Sequence, residues 1–215
     1  MATQRQPRIH VIAGVDGAGK SSIGGAALRA LGGHYYNPDE AAAQLRRANR
    51  GLDQAEANSI AWHQGRRLLE RAIAERLDFA LETTLGASTI PRLLADAASS
   101  GIEIHVWYVG LGSPELHIER VQARVRGGGH DIPEQDIRRR YEHSRLNLIQ
   151  LLPRLTALRV YDNTAEGDPA AGRLPAPRLV LHMRRRKILD PGDLAAAPEW
   201  AKPIVAAAIM RAQMS

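Results

Sequence analysis

The run Gly14-Val15-Asp16-Gly17-Ala18-Gly19-Lys20-Ser21 matches G-x-x-x-x-G-K-[ST] at every fixed position, and it narrows the available folds more than any other feature of the chain. Glycines let such a loop turn tightly enough for its N–H groups to converge on phosphate oxygens at a helix N-terminus. The loop must therefore lie between a strand and a helix. Residues 8–13 read as a buried strand and residues 22–31 as a helix, so the flanks agree. The plain alternative, a glycine-rich strand-to-helix turn, explains the spacing less well than a P-loop does. Gly14, Asp16, Gly17, Ala18, Gly19 and Ser22 then surround the phosphates, Lys20 reaches the β- and γ-phosphates, and the Ser21 hydroxyl is placed to hold Mg²⁺. ATP and Mg²⁺ are the expected ligands.

Beyond the loop, strands alternate with helices. Residues 34–37 read as a short second strand, followed by helices over 39–50 and 54–76. Residues 78–82 form the third strand, 88–100 a helix, and 102–109 the fourth strand. Ser113 is an N-cap with Pro114 at the first helical position, opening a helix to residue 126. Gly127-Gly128-Gly129 breaks it, a further helix covers 133–152, and residues 158–162 form the fifth strand. This order predicts an α/β P-loop NTPase of the nucleoside/nucleotide-kinase type, with a parallel five-stranded core sheet flanked by helices. One domain over residues 1–215 is expected, with an arginine-rich lid around 115–145. In the extension over 164–215, residues 167–177 read as loop, 178–183 as an edge strand and 195–214 as a terminal helix.

Ligands of such sheets bind at the carboxyl ends of the strands. That rule gathers the P-loop, residues 37–40, residues 82–84, residues 110–112 and residues 162–163 around one cleft. Asp39 can then accept a proton from an acceptor hydroxyl or hold a water on Mg²⁺; an acid in a first helical turn is the plainer reading. Glu82, Thr83 and Thr84 suit a polyhydroxyl substrate, although Glu82 can equally serve Mg²⁺ through water. Arg120 and Arg124, four residues apart, share a helix face and can point together at a triphosphate. Arg138, Arg139 and Arg140 add charge one helix later; at most one or two can face the cleft, and Arg138 is the candidate for the substrate. His130 suits substrate or phosphate contact, with turn packing as the alternative. Trp62 and His63 can stack on a substrate, although a core position on the helix explains Trp62 equally well, and Asn163 lies where P-loop kinases often place adenine, or is a turn former.

Composition bounds the partners. With 44% hydrophobic and 24% charged residues the chain is globular, and no apolar run approaches the roughly 20 residues that span a bilayer. The first eight residues are too polar for a signal peptide, and the chain has no cysteine, which fits a reducing cytoplasm. A net charge of +6, carried almost wholly by arginine, suits anionic small molecules and also nucleic acid. The run Arg184-Arg185-Arg186-Lys187 has no interleaved aromatics, which argues against a nucleic-acid patch and for a solvated strand end. These residues leave three activities open: a small-molecule kinase, a polynucleotide or RNA-end kinase, and a regulatory ATPase without an acceptor.

A family resemblance sharpens the choice. The P-loop wording Gly-Val-Asp-Gly-Ala-Gly-Lys-Ser-Ser, then Asn37-Pro38-Asp39-Glu40, then Leu81-Glu82-Thr83-Thr84-Leu85 belong together with the lid pattern Arg-Val-x-x-Arg-Val-x-x-Gly-Gly-His-x-Ile-Pro-x-x-x-Ile-Arg-Arg-Arg-Tyr. Over residues 9–163 this resembles the zeta toxin family of P-loop kinases, in particular its short, often stand-alone branch. The resemblance implies transfer of the ATP γ-phosphate to an alcohol group of a small molecule such as the nucleotide sugar UDP-N-acetylglucosamine. It implies Asp39 as general base, Lys20 on phosphate, Glu82 and Thr83 on substrate, and Arg120 and Arg124 on the transferred phosphoryl group. It also implies an antitoxin protein as partner. The larger toxins that pair with an epsilon antitoxin are longer and lack the Gly-Gly-His lid wording.

Overall fold

The computed structural model describes residues 6–25, 35–165, 177–190 and 194–213. β1 (Arg8–Ala13), β2 (Tyr35–Tyr36), β3 (Phe79–Thr83), β4 (Glu103–Gly110), β5 (Ala157–Asp162), β6 (Arg178–Arg184) and β7 (Lys187–Asp190) form one sheet in the order β2-β3-β1-β4-β5-β6-β7. The first five run parallel, and β6 and β7 are antiparallel additions. β1 sits near the middle, and its residues Val11, Ile12 and Ala13 are all fully buried, as expected for a parallel strand covered on both faces.

The helices are α1 (Pro38–Ala48), α2 (Gln54–Ala74), α3 (Thr89–Ser99), α4 (Pro114–Arg126), α5 (Glu134–Leu151) and α6 (Lys202–Gln213). Local chemistry decides where those near the cleft begin. Asn37 caps α1, its Oδ1 accepting from the N–H groups of Asp39 and Glu40 at 2.9 and 3.3 Å, with Pro38 in the first turn. Ser113 caps α4 in the same way through Leu116 N–H at 3.3 Å. Both caps stand at the strand ends, so the first turns of α1 and α4 open beside the P-loop.

Alternate strand residues feed the main core. Ile9 and Val11 of β1, Ile104, Val106 and Tyr108 of β4, and Leu158 and Val160 of β5 pack with Leu69, Leu94, Ile118, Val121, Ile137 and Leu148 from the helices. The opposite face carries a smaller cluster of Ile12 and Ala80 with Tyr35 and Trp107. Ile12 there touches the P-loop helix so closely that a Cβ on Gly24 would lie 2.6 Å from its Cδ1.

The sheet has seven strands rather than the expected five, and residues 178–183 do not form its edge. β7 folds back on β6 through a two-residue turn with φ of 44° at Arg185 and 67° at Arg186. Such tight hairpins usually carry Asn or Gly where φ is positive, so two arginines hid the turn. The expected terminal helix is divided as well: short turns at Leu194–Ala196 and Glu199–Ala201 precede α6, because Pro198 cannot continue a helix. Residues 26–31 of the P-loop helix, His34, and residues 167–176 of the expected loop lie outside the described residues. No helix is long and apolar enough to cross a membrane among the described residues.

Candidate active site

The P-loop leaves β1 with glycines in the left-handed region at Gly14 (φ 140°), Gly17 (78°) and Gly19 (85°). All three are also sterically obliged, a Cβ on Gly17 coming within 2.8 Å of the His117 carbonyl oxygen. A Cβ on Gly14 would come within 2.1 Å of the Val109 carbonyl oxygen, and one on Gly19 within 2.6 Å of Asn163 Nδ2. Asn163 Nδ2–H donates to the Ala18 carbonyl at 2.9 Å, tying the end of β5 to the loop. From the other side His117 Nδ1 meets the Asp16 carbonyl oxygen at 2.7 Å. Burial pushes the His117 ring down to about 4, so it stays neutral and donates to that carbonyl.

Lys20 and Glu82 face each other across the P-loop. Lys20 Nζ donates to the Val15 carbonyl at 3.3 Å and lies 3.6 Å from Glu82 Oε1. Glu82 Oε2 accepts from Ser21 Oγ–H at 3.2 Å, Tyr35 O–H at 2.8 Å and Asn37 Nδ2–H at 3.2 Å. Burial and the adjacent Glu82 carboxylate push the Tyr35 phenol up, so it remains a donor. Two hard oxygens, Ser21 Oγ and a Glu82 carboxylate, thus stand together beside the phosphate loop, a donor set that fits Mg²⁺. Ser22 follows in the helical turn Ser21–Gly25.

Lys20, Asp16, Glu82 and Asp39 all line one cavity of about 410 Å³. Asp39 is half-exposed there, and the lid holds it: Arg124 Nη1 lies 3.8 Å from Oδ2 and His130 Nε2 4.0 Å from Oδ1. Arg124 Nη2–H in turn donates to the His130 carbonyl at 3.3 Å. Beyond Asp39 the cavity runs between α2, which contributes Trp62 and Arg66, and the loop after β3. Thr83 and Thr84 shape that loop, their hydroxyls accepting from the N–H groups of Leu85 and Gly86 at 3.1 and 3.2 Å. Asn147 of α5 donates to the Leu85 carbonyl at 2.6 Å and holds Leu85 at φ 53°.

Some predicted residues are not on this cavity. Arg120 lies behind the P-loop, where its Nη2–H donates to the Asn163 carbonyl at 2.9 Å. Asn163 joins the loop from that same side, and residues 110–112 do not line the cavity. Arg138 faces away and pairs with Glu115 at 2.6 Å with both side chains largely exposed. Arg140 lines the cavity instead, its Nη1 2.7 Å from Asp16 Oδ2. Burial pushes the Asp16 carboxyl up, but Lys20 and Arg140 outweigh it and hold the group below the usual carboxylate range. His63 is exposed and touches the cavity only through the edge of Trp62, with ring centroids 4.9 Å apart.

A glycine-rich loop after β1, a carboxylate beside it on the neighbouring strand β3, and cationic side chains near the strand ends make up an α/β architecture that resembles P-loop kinases. A zeta toxin model matches residues 1–166, and the chain belongs to the zeta toxin family. An uncharacterized protein of Haemophilus influenzae (strain ATCC 51907 / DSM 11121 / KW20 / Rd) is 34% identical over 74 residues, which is 34% of this chain and 53% of that protein. Among solved structures, the AvrRxo1-ORF1:-ORF2 complex with ATP matches with a TM-score of 0.67 at 15% identity, over 90% of this chain and 64% of that one. The PezAT chromosomal toxin–antitoxin system of Streptococcus pneumoniae matches with a TM-score of 0.56 at 15% identity, over 99% and 89%. This chain therefore spans about half of the curated relative and under two thirds of the AvrRxo1 chain. At these identities the structures speak for the fold, and the family supports a nucleotide-dependent kinase.

Proposed function

We propose that the protein transfers the γ-phosphate of ATP to an alcohol group of a small molecule bound in the cavity beyond Asp39. The observation that carries this reading is the shared cavity: the P-loop lysine and a half-exposed carboxylate line the same space, which continues well past both toward Trp62 and Arg66. A carboxylate with an open side can take a proton from a hydroxyl delivered to it. Lys20 and Arg140 supply fixed positive charge at the P-loop end, and Arg124 supplies it from the lid. Ser21 and Glu82 would hold Mg²⁺, which when bound draws charge from the phosphate oxygens. Asn163 holds the P-loop at Ala18, and Arg120 braces the turn that carries Asn163.

The family resemblance makes a nucleotide sugar such as UDP-N-acetylglucosamine the first acceptor to test. The cavity lining fits it, with Trp62 and Tyr36 as ring surfaces and Asn58, Ser59, Thr83 and Thr84 as polar partners. An antitoxin-type protein is the corresponding partner, supported by the toxin–antitoxin system to which the fold is similar. The test is γ-labelled ATP with a panel of nucleotide sugars, nucleosides and RNA ends. Label in a small-molecule acceptor is the expected result. Release of inorganic phosphate alone, or label only in RNA, overturns the proposal.

A further inference from the structure

The zeta toxin match ends at residue 166, yet β6, β7 and α6 lie beyond it and are built into the same sheet and core. Trp200 brings this C-terminal segment to the nucleotide side of the molecule. It is buried, and its indole lies against the end of β4, where a Cβ on Gly110 would come within 2.3 Å of the ring. The indole N–H donates to Asp162 Oδ1 at 3.1 Å. That same oxygen accepts from the Thr164 N–H at 3.2 Å and from the Thr164 hydroxyl. Together these bonds fix the turn that follows β5.

Two parts of the nucleotide site hang from that turn. The carbonyls of Asn163 and Thr164 receive Arg120 Nη2–H at 2.9 and 3.5 Å. The Asn163 side chain holds the P-loop at Ala18. One carboxylate oxygen thus stands between a residue outside the family match and both the P-loop and a lid arginine.

We propose that Trp200 is a positioning residue of the nucleotide site, acting through Asp162 to hold Arg120 and the P-loop in the geometry that receives a triphosphate. Without the indole N–H, the Asp162 carboxylate loses one of three donors on a single oxygen and the turn gains freedom. The segment itself is anchored independently, because Arg145 Nη1–H donates to the Trp200 carbonyl at 3.4 Å and Ile204, Val205 and Ala208 are buried in the core. Trp200→Phe removes the N–H together with the outer indole carbons that face Gly110, whereas Asp162→Ala removes the same hydrogen bond and leaves the indole whole. The inference rests on the P-loop being an ATP site and is independent of the acceptor.

The experiment is calorimetric titration of Mg·ATP without acceptor into the full chain, for wild type, Trp200→Phe, Asp162→Ala and the double variant, with thermal melting alongside. Loss of one hydrogen bond is expected to weaken ATP binding about fivefold in Trp200→Phe, and the smaller buried ring also lowers the melting midpoint. Asp162→Ala should lose at least as much, and the double variant no more than Asp162→Ala, because both act on one bond. Wild-type ATP affinity in Trp200→Phe, or losses that multiply in the double variant, overturns the inference. If one single variant does not fold, unaltered affinity in the other overturns it equally. A wild type that binds no ATP refutes the P-loop assignment itself, a different result.

Discussion

Arg140→Ala should damage both stability and transfer, while Arg138→Ala two residues away should do neither. Arg140 Nη1 lies 2.7 Å from Asp16 Oδ2, with side chains 30% and 7% exposed. Removing one partner of a buried pair costs about 3–5 kcal/mol. Here Arg140 still reaches water and Lys20 remains close to Asp16, so about 2 kcal/mol is the reasoned loss. For a chain of this size that lowers the melting midpoint by about 4–8 °C. The effect must also depend on pH. Burial pushes the Asp16 carboxyl up, but Lys20 and Arg140 outweigh it and hold the group below the usual carboxylate range. A carboxyl depressed in the folded state contributes stability above its unfolded pKa, and that contribution is lost as pH falls through the folded value. Arg140→Ala raises the folded value, so the gap between wild type and variant should be full at pH 7 and close below about pH 4. Transfer should fall about 10²–10³-fold, the usual cost of deleting one preorganised charge donor. Urea unfolding at several pH values, with a labelled-ATP transfer assay, measures both. Equal behaviour of Arg138→Ala and Arg140→Ala would refute the assignment of Arg140 to the cavity.

Other expectations follow from the same geometry. Lys20→Ala should abolish transfer in the labelled-ATP assay, and near-normal turnover would remove the P-loop from the mechanism. Gly19→Ala places a side chain at φ 85° and 2.6 Å from Asn163 Nδ2; calorimetry should show ATP binding weakened at least about tenfold, given strain of roughly 1–3 kcal/mol. Burial lowers His117 from 6.5 to about 4. Because the unfolded chain binds this proton first, wild-type stability should fall as pH drops from about 6.5 toward 4. His117→Gln should flatten that part of the urea-stability profile, and an unaltered slope would show that another group titrates there.

Much of this organisation was legible in the sequence because it is local. The P-loop signature predicts β1 and the helical turn Ser21–Gly25 that follows the loop, and Asn37-Pro38 and Ser113-Pro114 announce helix starts by their own capping chemistry. Alternation of strands and helices then predicts which strand ends converge, so Asp39 and Glu82 could be named from order alone. What the sequence hid is non-local or one-sided. Glu82 is gripped by Ser21, Tyr35 and Asn37, three residues whose convergence depends on β3 pairing with β1 on one side and β2 on the other. In α5 the buried Ile137, Tyr141, Ser144 and Leu148 mark the inner face. At about 100° per residue, Arg138 and Arg140 flank that face on opposite sides and Arg139 points outward. Periodicity excludes Arg139 but cannot tell which flank meets the P-loop. β7 escaped because its turn is made by two arginines, and the role of Trp200 because its partner lies 38 residues earlier in the chain.

The most direct test of the proposed chemistry is single-turnover transfer of γ-labelled phosphate by Asp39→Asn, at an ATP concentration shown by calorimetry to saturate wild type and variant alike. Asp39 is half-exposed and its ion-pair contacts among the described residues are long, at 3.8 and 4.0 Å, so fold and ATP affinity should survive the change. The transfer rate should drop about 10²–10⁴-fold, the contribution of a general base. An Asp39→Asn protein that binds ATP normally and phosphorylates its acceptor at the wild-type rate would contradict the account.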